Sequence, residues 1–397
     1  MPSSTKGVCV PSRRFFLILS MLWLAGVAIR APILAIPPVI PLIRTDLNMS
    51  GTEIGELSGI PMILLALAAL PGSALIGRFG ALRTLMIGLL ITAIGSMLRG
   101  FSSTTAILFA ATAAMGMGIA VAQPALPVMV RQWLPSRIGL GTATYSNGLI
   151  AGCIFPVAMT LTLIMPTLTK SWQLDLMLWS IPSFAALLFL AVAAPRSEEH
   201  LSAAEKPAGF LSGMDYGLVW RIGLIFGANN CIYFGTNAFL PPYLNAIGQP
   251  HLVTEALSAY NAMQLPGSLA VLAFASRVER RRWPYIAAGL CLVLNLAWLS
   301  ASAGIWTIAA AGTLGFFSGT TLATGLMLPP LLSKPSEVAR VAAAMFTLSY
   351  ALAMVGSIAG GAVWDLFGHP RFAFFVLAVC ALPLIVVTPT LDFKRQY

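Results

Sequence analysis

The sequence predicts an all-α integral membrane protein whose twelve transmembrane helices form two pseudo-symmetric six-helix bundles. Three observations point there. Apolar residues fill 58% of the 397 positions and charged residues 9%, against roughly 25% charge in an ordinary soluble domain. Apolar runs of about 20 residues, the length that crosses a hydrocarbon core, recur along the whole chain between Gly, Pro and charged breaks. Lys and Arg are dense in every second connection and sparse in the others, which is how loops on the two sides of a membrane differ.

The first run follows Lys6, Arg13 and Arg14 and starts at Phe15, as a secretory signal would. It continues past Arg30 to about Pro41 with no small-residue cleavage site, so it is expected to remain as the first span. The next five are expected near 54–77, 82–100, 104–130, 138–165 and 173–194. A second six follow near 219–244, 254–276, 284–303, 305–332, 338–363 and 371–391. Between the sixes lies a long polar stretch from Arg196 to Asp215, with Glu198, Glu199, His200, Glu205, Lys206 and Pro207. The expected division is therefore an N-terminal bundle over 1–195, a cytoplasmic linker over 196–215 and a C-terminal bundle over 216–397.

Orientation follows from the basic residues, because short loops rich in Lys and Arg are retained in the cytoplasm. With the N-terminus inside, only Arg44, Arg99, Lys170 and Arg371 of the 23 Lys and Arg residues fall outside, and Arg30 falls within a span. Both termini are expected in the cytoplasm of a cell with a bacterial-type inner membrane. One helix too many or too few would scramble this asymmetry, so it also supports the count of spans.

An internal repeat supports the two halves. Arg14-Phe15-Phe16-Leu17 leads to Pro37-Pro38, and Arg221-Ile222-Gly223-Leu224 leads to Pro241-Pro242. The second span of each half then carries a proline, Pro61 and Pro266, and ends near a basic loop, Arg78 to Arg83 and Arg277 to Arg282. Parallel halves of this kind hold a solute near the midplane between them.

Composition also excludes several functions. The net charge of +10 is spread over span ends instead of forming a nucleic-acid patch. Cys9, Cys153, Cys231, Cys291 and Cys380 stand singly and read as packing residues, with no metal spacing. His200, His251 and His369 lie far apart in expected loops. No metal, cofactor or catalytic set is expected. The chain lacks a repeated filter segment, which disfavours a channel.

Arg30 is the residue that demands an explanation. It lies about 15 residues into the first span, roughly 22 Å from its start at 1.5 Å per residue, near the midplane of a core about 30 Å thick. A charge at that depth costs about 2.5–3.5 kcal/mol on insertion scales and commonly faces a wet cavity or a partner. Glu56, in the outward part of the second span, is the nearest acid along the spans and the candidate for proton coupling. Two readings stand: Arg30 anchors an anionic or strongly polarised solute, or it is satisfied by Glu56 or by carbonyls freed by Pro32, Pro37 and Pro38.

Other polar residues suggest a lining. Asn230, Tyr233 and Asn237 share one helical face of the seventh span, and Trp23, Arg30 and Pro37 share one of the first. Arg30 and Asn237 stand at the same offset from Arg14 and Arg221, which makes them candidate mates across the cavity. Asn261 and Gln264 are one turn apart before Pro266, and Asn147 sits in the fifth span. The solute-binding candidates are therefore Arg30, Trp23, Tyr233, Asn237, Asn230, Asn261, Gln264 and Asn147, although such side chains also bond helix to helix. Gln123, Tyr145, Ser146, Tyr260, Ser349 and Tyr350 are further polar groups inside spans, read mainly as packing. Gly148 and Gly152, four residues apart, allow close helix approach.

Several of these segments carry a family resemblance. Arg30-Ala31-Pro32 with its Pro-rich continuation to Pro41, Gly59-Ile60-Pro61, and Ala238-Phe239-Leu240-Pro241 are similar to segments of the cyanate permease family within the major facilitator superfamily. The loop from Ser73 to Arg83 resembles the superfamily's Gly-x-x-x-Asp-Arg-x-Gly-Arg signature, with Arg78 and Gly80 in place, Ser73 for its first Gly and Gly77 for its Asp. The missing Asp removes the loop's usual gating ion pair. The resemblance implies transport of a small anion such as cyanate or a compact polar heterocycle such as a nitroimidazole. Nitrate porters carry an arginine in the second and eighth spans, which this chain lacks.

The expected function is transport by alternating access, with a small solute as partner, protons as a candidate co-substrate, the bilayer as environment and a monomer as the unit. Multidrug or metabolite efflux is the rival function. A non-transporting receptor or scaffold is the rival of another class.

Overall fold

A computed structural model describes residues 12–49, 51–169, 171–195 and 215–393. The helices in chain order are α1 (Ser12–Leu34), α2 (Ile36–Leu47), α3 (Gly51–Phe79), α4 (Ala81–Arg99), α5 (Thr105–Ala122), α6 (Ala125–Trp133), α7 (Ile138–Met159), α8 (Trp172–Leu178) and α9 (Ile181–Ala193). The second half has α10 (Tyr216–Ala246), α11 (Val253–Ala262), α12 (Gln264–Ala273), α13 (Ala275–Val278), α14 (Trp283–Ala301), α15 (Ile305–Leu332), α16 (Val338–Phe367) and α17 (Arg371–Val386).

These helices make twelve spans, because prolines divide several of the expected runs. A proline at position i removes the bond to the carbonyl at i−4. Pro37 and Pro38 free the carbonyls of Ile33 and Leu34, and the first span breaks at Ala35 into α1 and α2. Pro182 and Pro266 act the same way between α8 and α9 and between α11 and α12. The fifth span does not stop near 165 as expected. It continues beyond α7 as a π-helix over Thr160–Thr169, which contains Pro166.

Helix starts follow local chemistry. Thr104, Ser171 and Asp215 each accept a bond from the backbone N–H three residues on, satisfying a donor that the first turn leaves over. α3 and α4 are joined through Gly80 alone, at φ 84°, a backbone conformation that a side chain would strain. The expected linker lies outside the described residues, apart from Asp215.

The two halves pack alike. α1 runs along α7 as α10 runs along α16; α3 packs on α5 as α11 and α12 pack on α15; α4 meets α9 as α14 meets α17. Each of these pairings thus has its counterpart six spans later. Glycine permits close approach of helices: a Cβ on Gly148 would collide with the Trp23 carbonyl, and one on Gly26 with the Tyr145 carbonyl. Large apolar side chains such as Ile63, Leu188, Leu294, Ile358 and Val379 remain exposed, as expected where lipid is the solvent. Eight segments of the described helices are long and apolar enough to cross a membrane by length and composition alone.

The halves meet through α3 on α16, α7 on α12 and α15, and α6 on α15. The hydrogen bonds described between them run from mid-bundle towards the face that carries the basic loops. Thr347 Oγ1 donates to the Ala66 carbonyl at 2.8 Å, Ser146 and Ser268 hydroxyls lie 3.4 Å apart, and Arg131 donates to the Pro330 carbonyl. The halves are therefore bonded to one another on that side.

Candidate functional site

Arg30 sits on α1 where the halves meet, and it stays partly exposed. Its Nη2 donates to the Tyr350 hydroxyl at 3.1 Å. Tyr350 belongs to α16 in the other half, is 5% exposed, and also accepts from Gln123 Nε2 at 3.5 Å. The Cys153 thiol and Tyr233 hydroxyl interact with one another beside the guanidinium. Gly152 on α7 lies close against the Arg30 stem, where a Cβ would come within 3.0 Å of Arg30 Cβ.

The described internal partners of Arg30 are few. Among the described residues its side chain bonds the Tyr350 hydroxyl and none of the carbonyls near Pro32, Pro37 and Pro38. The Glu56 side chain lies outside the described ones. The described neighbours of the guanidinium are thus all neutral: two phenols and a thiol. A neutral acceptor satisfies one of five N–H donors and supplies no counter-charge.

Asn237, Asn261 and Gln264 come together as the spacing suggests. Asn261 Nδ2 donates to Asn237 Oδ1 at 3.0 Å and to the Leu257 carbonyl at 2.9 Å, and Gln264 Nε2 donates to Asn261 Oδ1 at 3.4 Å. Asn237 Nδ2 turns back to the Tyr233 carbonyl at 2.8 Å, and the Tyr233 ring stacks on Tyr260 at 6.3 Å. Asn237 thus faces Asn261 across the α10 to α11 contact, and no described hydrogen bond joins it to Arg30. The mid-span break before Pro266 leaves Asn261 and Gln264 on short helical segments, α11 and α12, against the long α10 that carries Asn237.

The remaining candidates lie in two separate contacts. Trp23 Nε1 donates to Asn147 Oδ1 at 2.9 Å, joining α1 to α7 and leaving the buried Asn147 Nδ2 without a partner. Asn230, 5% exposed, donates to Ser349 Oγ at 3.2 Å, next to Tyr350 in sequence.

Sequence reasoning missed three features. Tyr350 and Gln123, read as packing, are the groups that meet at the Arg30 contact. Cys153, also read as packing, lies against Arg30. Arg99, counted as a surface arginine, is fully buried: its Nη2 donates to Ser96 Oγ at 2.8 Å beside the buried Asp175. Its position at the end of α4 suggested exposure; the packing of α8 over that end closes it off.

The signature-like loop has Gly77 where the superfamily pattern has an acid. Arg78 lies over the Phe79 ring at 5.3 Å, and a Cβ at Gly77 would meet open space. The corresponding loop of the second half does carry an acid. Glu279 accepts from the Gly139 N–H at the start of α7, across the halves. Burial pushes its carboxyl above the ordinary glutamate value, against the pull of that N–H and of Arg280.

A family model described as the Major Facilitator Superfamily matches residues 18–357. The 2-nitroimidazole transporter of Escherichia coli (strain K12) is 27% identical over 382 residues, covering 94% of each chain. The cyanate transport protein CynX of the same organism is 24% identical over 374 residues, covering 94% of this chain and 96% of the other. Among solved structures, the proton:xylose symporter XylE bound to 6-bromo-6-deoxy-D-glucose superposes with a TM-score of 0.79 at 13% identity, covering 94% of this chain and 95% of that one.

Proposed function

The chain belongs to the Major Facilitator Superfamily, and from that premise we infer that it carries a small anionic or compact polar organic solute between the two faces of a bacterial-type inner membrane. One observation carries this reading: Arg30, a half-buried residue at the contact of the halves, holds a desolvated guanidinium whose described neighbours are all neutral. A negatively charged or strongly polarised solute would complete its coordination. The relatives named for 2-nitroimidazole and for cyanate suit that chemistry, since a nitro group and a cyanate both present partial or full negative charge on terminal atoms.

In this reading Arg30 supplies the charge beside Tyr233 of α10, while the Trp23–Asn147 pair on α1 and α7 extends the lining along the same seam. Asn237, Asn261, Gln264 and Asn230 orient the solute through amide donors and acceptors. The functional division is 1–195, 196–215 and 216–397, with both termini and the basic loops in the cytoplasm. The face at which the halves are bonded is then the cytoplasmic one. Glu56 is the candidate for proton coupling, tested by asking whether flux in Glu56→Gln still follows an imposed pH gradient. A single chain contains every residue named here, so a monomer suffices.

The experiment is flux of cyanate and of 2-nitroimidazole into liposomes containing wild type or Arg30→Ala. Loss of flux in a folded Arg30→Ala supports the reading, and wild-type flux sinks it.

A further inference from the structure

An alternating-access carrier encloses its midplane twice per cycle, once loaded and once empty. Loaded, a solute bound to Arg30 would satisfy the guanidinium. Empty, the same group would be shut away from water without an acceptor, and a buried charge that has lost its partner is strongly destabilising. Something in the protein has to take the solute's place during the empty return.

Tyr350 is built for that. Its oxygen lies 3.1 Å from Arg30 Nη2 and comes from the opposite half, so the bond forms when the halves come together. Gln123 holds the same oxygen from a second direction at 3.5 Å, and Phe234 packs against the ring with centroids 6.2 Å apart. A phenol is neutral. Its bond to a guanidinium is weaker than that of an anion, so an arriving anion can displace it.

Resting on the assignment of Arg30 as solute anchor, we propose that Tyr350 is the substitute acceptor for Arg30 in the empty carrier, and that this contact permits net transport in addition to one-for-one exchange. Tyr350 is on this view a positioning residue: it sets the ease of the empty return and leaves loaded turnover largely alone.

The test uses the full chain labelled for single-molecule energy transfer across each face. Without solute, Tyr350→Phe should slow interconversion of the two forms by about tenfold or more, the scale of a lost hydrogen bond to a charged group. Adding the transported probe, cyanate or 2-nitroimidazole, should restore the rate. In liposomes net influx should fall while exchange against internal probe is kept. In the Arg30→Ala background the Tyr350→Phe effect should vanish, because no guanidinium remains to be satisfied.

An unchanged solute-free rate in Tyr350→Phe overturns the proposal, as does an equal slowing in the Arg30→Ala background or equal loss of net flux and exchange. If Tyr350→Phe fails to fold, recovery of folding in the double variant supports the proposal and failure of both overturns it. The anchor assignment fails separately, by retained flux in Arg30→Ala, whereas the Tyr350 result is read from solute-free rates.

Discussion

Arg30 Nη2 and the Tyr350 hydroxyl lie 3.1 Å apart on opposite halves of the bundle. A charge donated by the first half is met by an uncharged group of the second. The halves are therefore joined at mid-bundle by a contact that an anion would outcompete, and several consequences can be measured.

Cys153 lies beside Arg30 and interacts with Tyr233, so a solute on the guanidinium would cover the thiol. Maleimide labelling of Cys153, followed by mass spectrometry, should slow several-fold when saturating cyanate or 2-nitroimidazole is present. Labelled protein should lose transport. Labelling at the same rate with and without a transported probe would separate Cys153 from the site.

Asn261 bridges Asn237 and Gln264. Asn261→Ala leaves two amides short of a partner, at a cost of about 1–3 kcal/mol for a buried polar group so stranded. We expect a lower melting temperature together with a KM raised by roughly tenfold. A change in melting temperature with unaltered KM would assign the amide array to helix packing alone.

The close approach of α1 and α7 leaves no room for a side chain at Gly148, where the Trp23 carbonyl stands. Gly148→Leu should push the helices apart and cost about 1–3 kcal/mol or more by overpacking. The decisive measurement is the yield of monodisperse protein in detergent, which should fall sharply; normal yield and melting would contradict the packing described.

Glu279 gives a pH dependence with a definite sign. Its carboxyl, facing Gly139, Arg280 and Tyr285, is shifted upward mainly by burial. A raised acid favours the state that buries it when protonated, so that state is favoured below the ordinary glutamate value and disfavoured as pH rises through the shifted one. Closure of the basic-loop face should therefore tighten on acidification, read as slower labelling of a cysteine placed at that face. Glu279→Gln should be closed at every pH and lose the dependence; an unchanged profile would dismiss Glu279 as its source.

The fold was legible in the sequence because lipid imposes a simple rule. Span length, proline position and Lys/Arg asymmetry each reflect one physical constraint, and the likeness between the α1–α7 and α10–α16 contacts agrees with the repeat seen in Pro37-Pro38 and Pro241-Pro242. Arg30 stood out for the same reason, as a charge where charges are expensive. Its partners did not. Tyr350 lies 320 residues away, and no periodicity distinguishes it from Tyr145, which is buried with no partner for its hydroxyl among the described residues. Arg99 misled because a helix end looks like a surface until α8 is packed against it. The amide cluster was visible as spacing along α10 and across the α11 to α12 break, but its closure into one hydrogen-bonded array depends on how two helices meet.

The most direct test is solute binding by purified Arg30→Ala, measured as the rise in melting temperature on adding cyanate or 2-nitroimidazole, since a ligand of the folded state must raise its apparent stability. Wild type should show a concentration-dependent rise with a transported solute, and Arg30→Ala, melting cooperatively on its own, should show none. A rise in the variant equal to that of wild type would mean that the solute is held elsewhere.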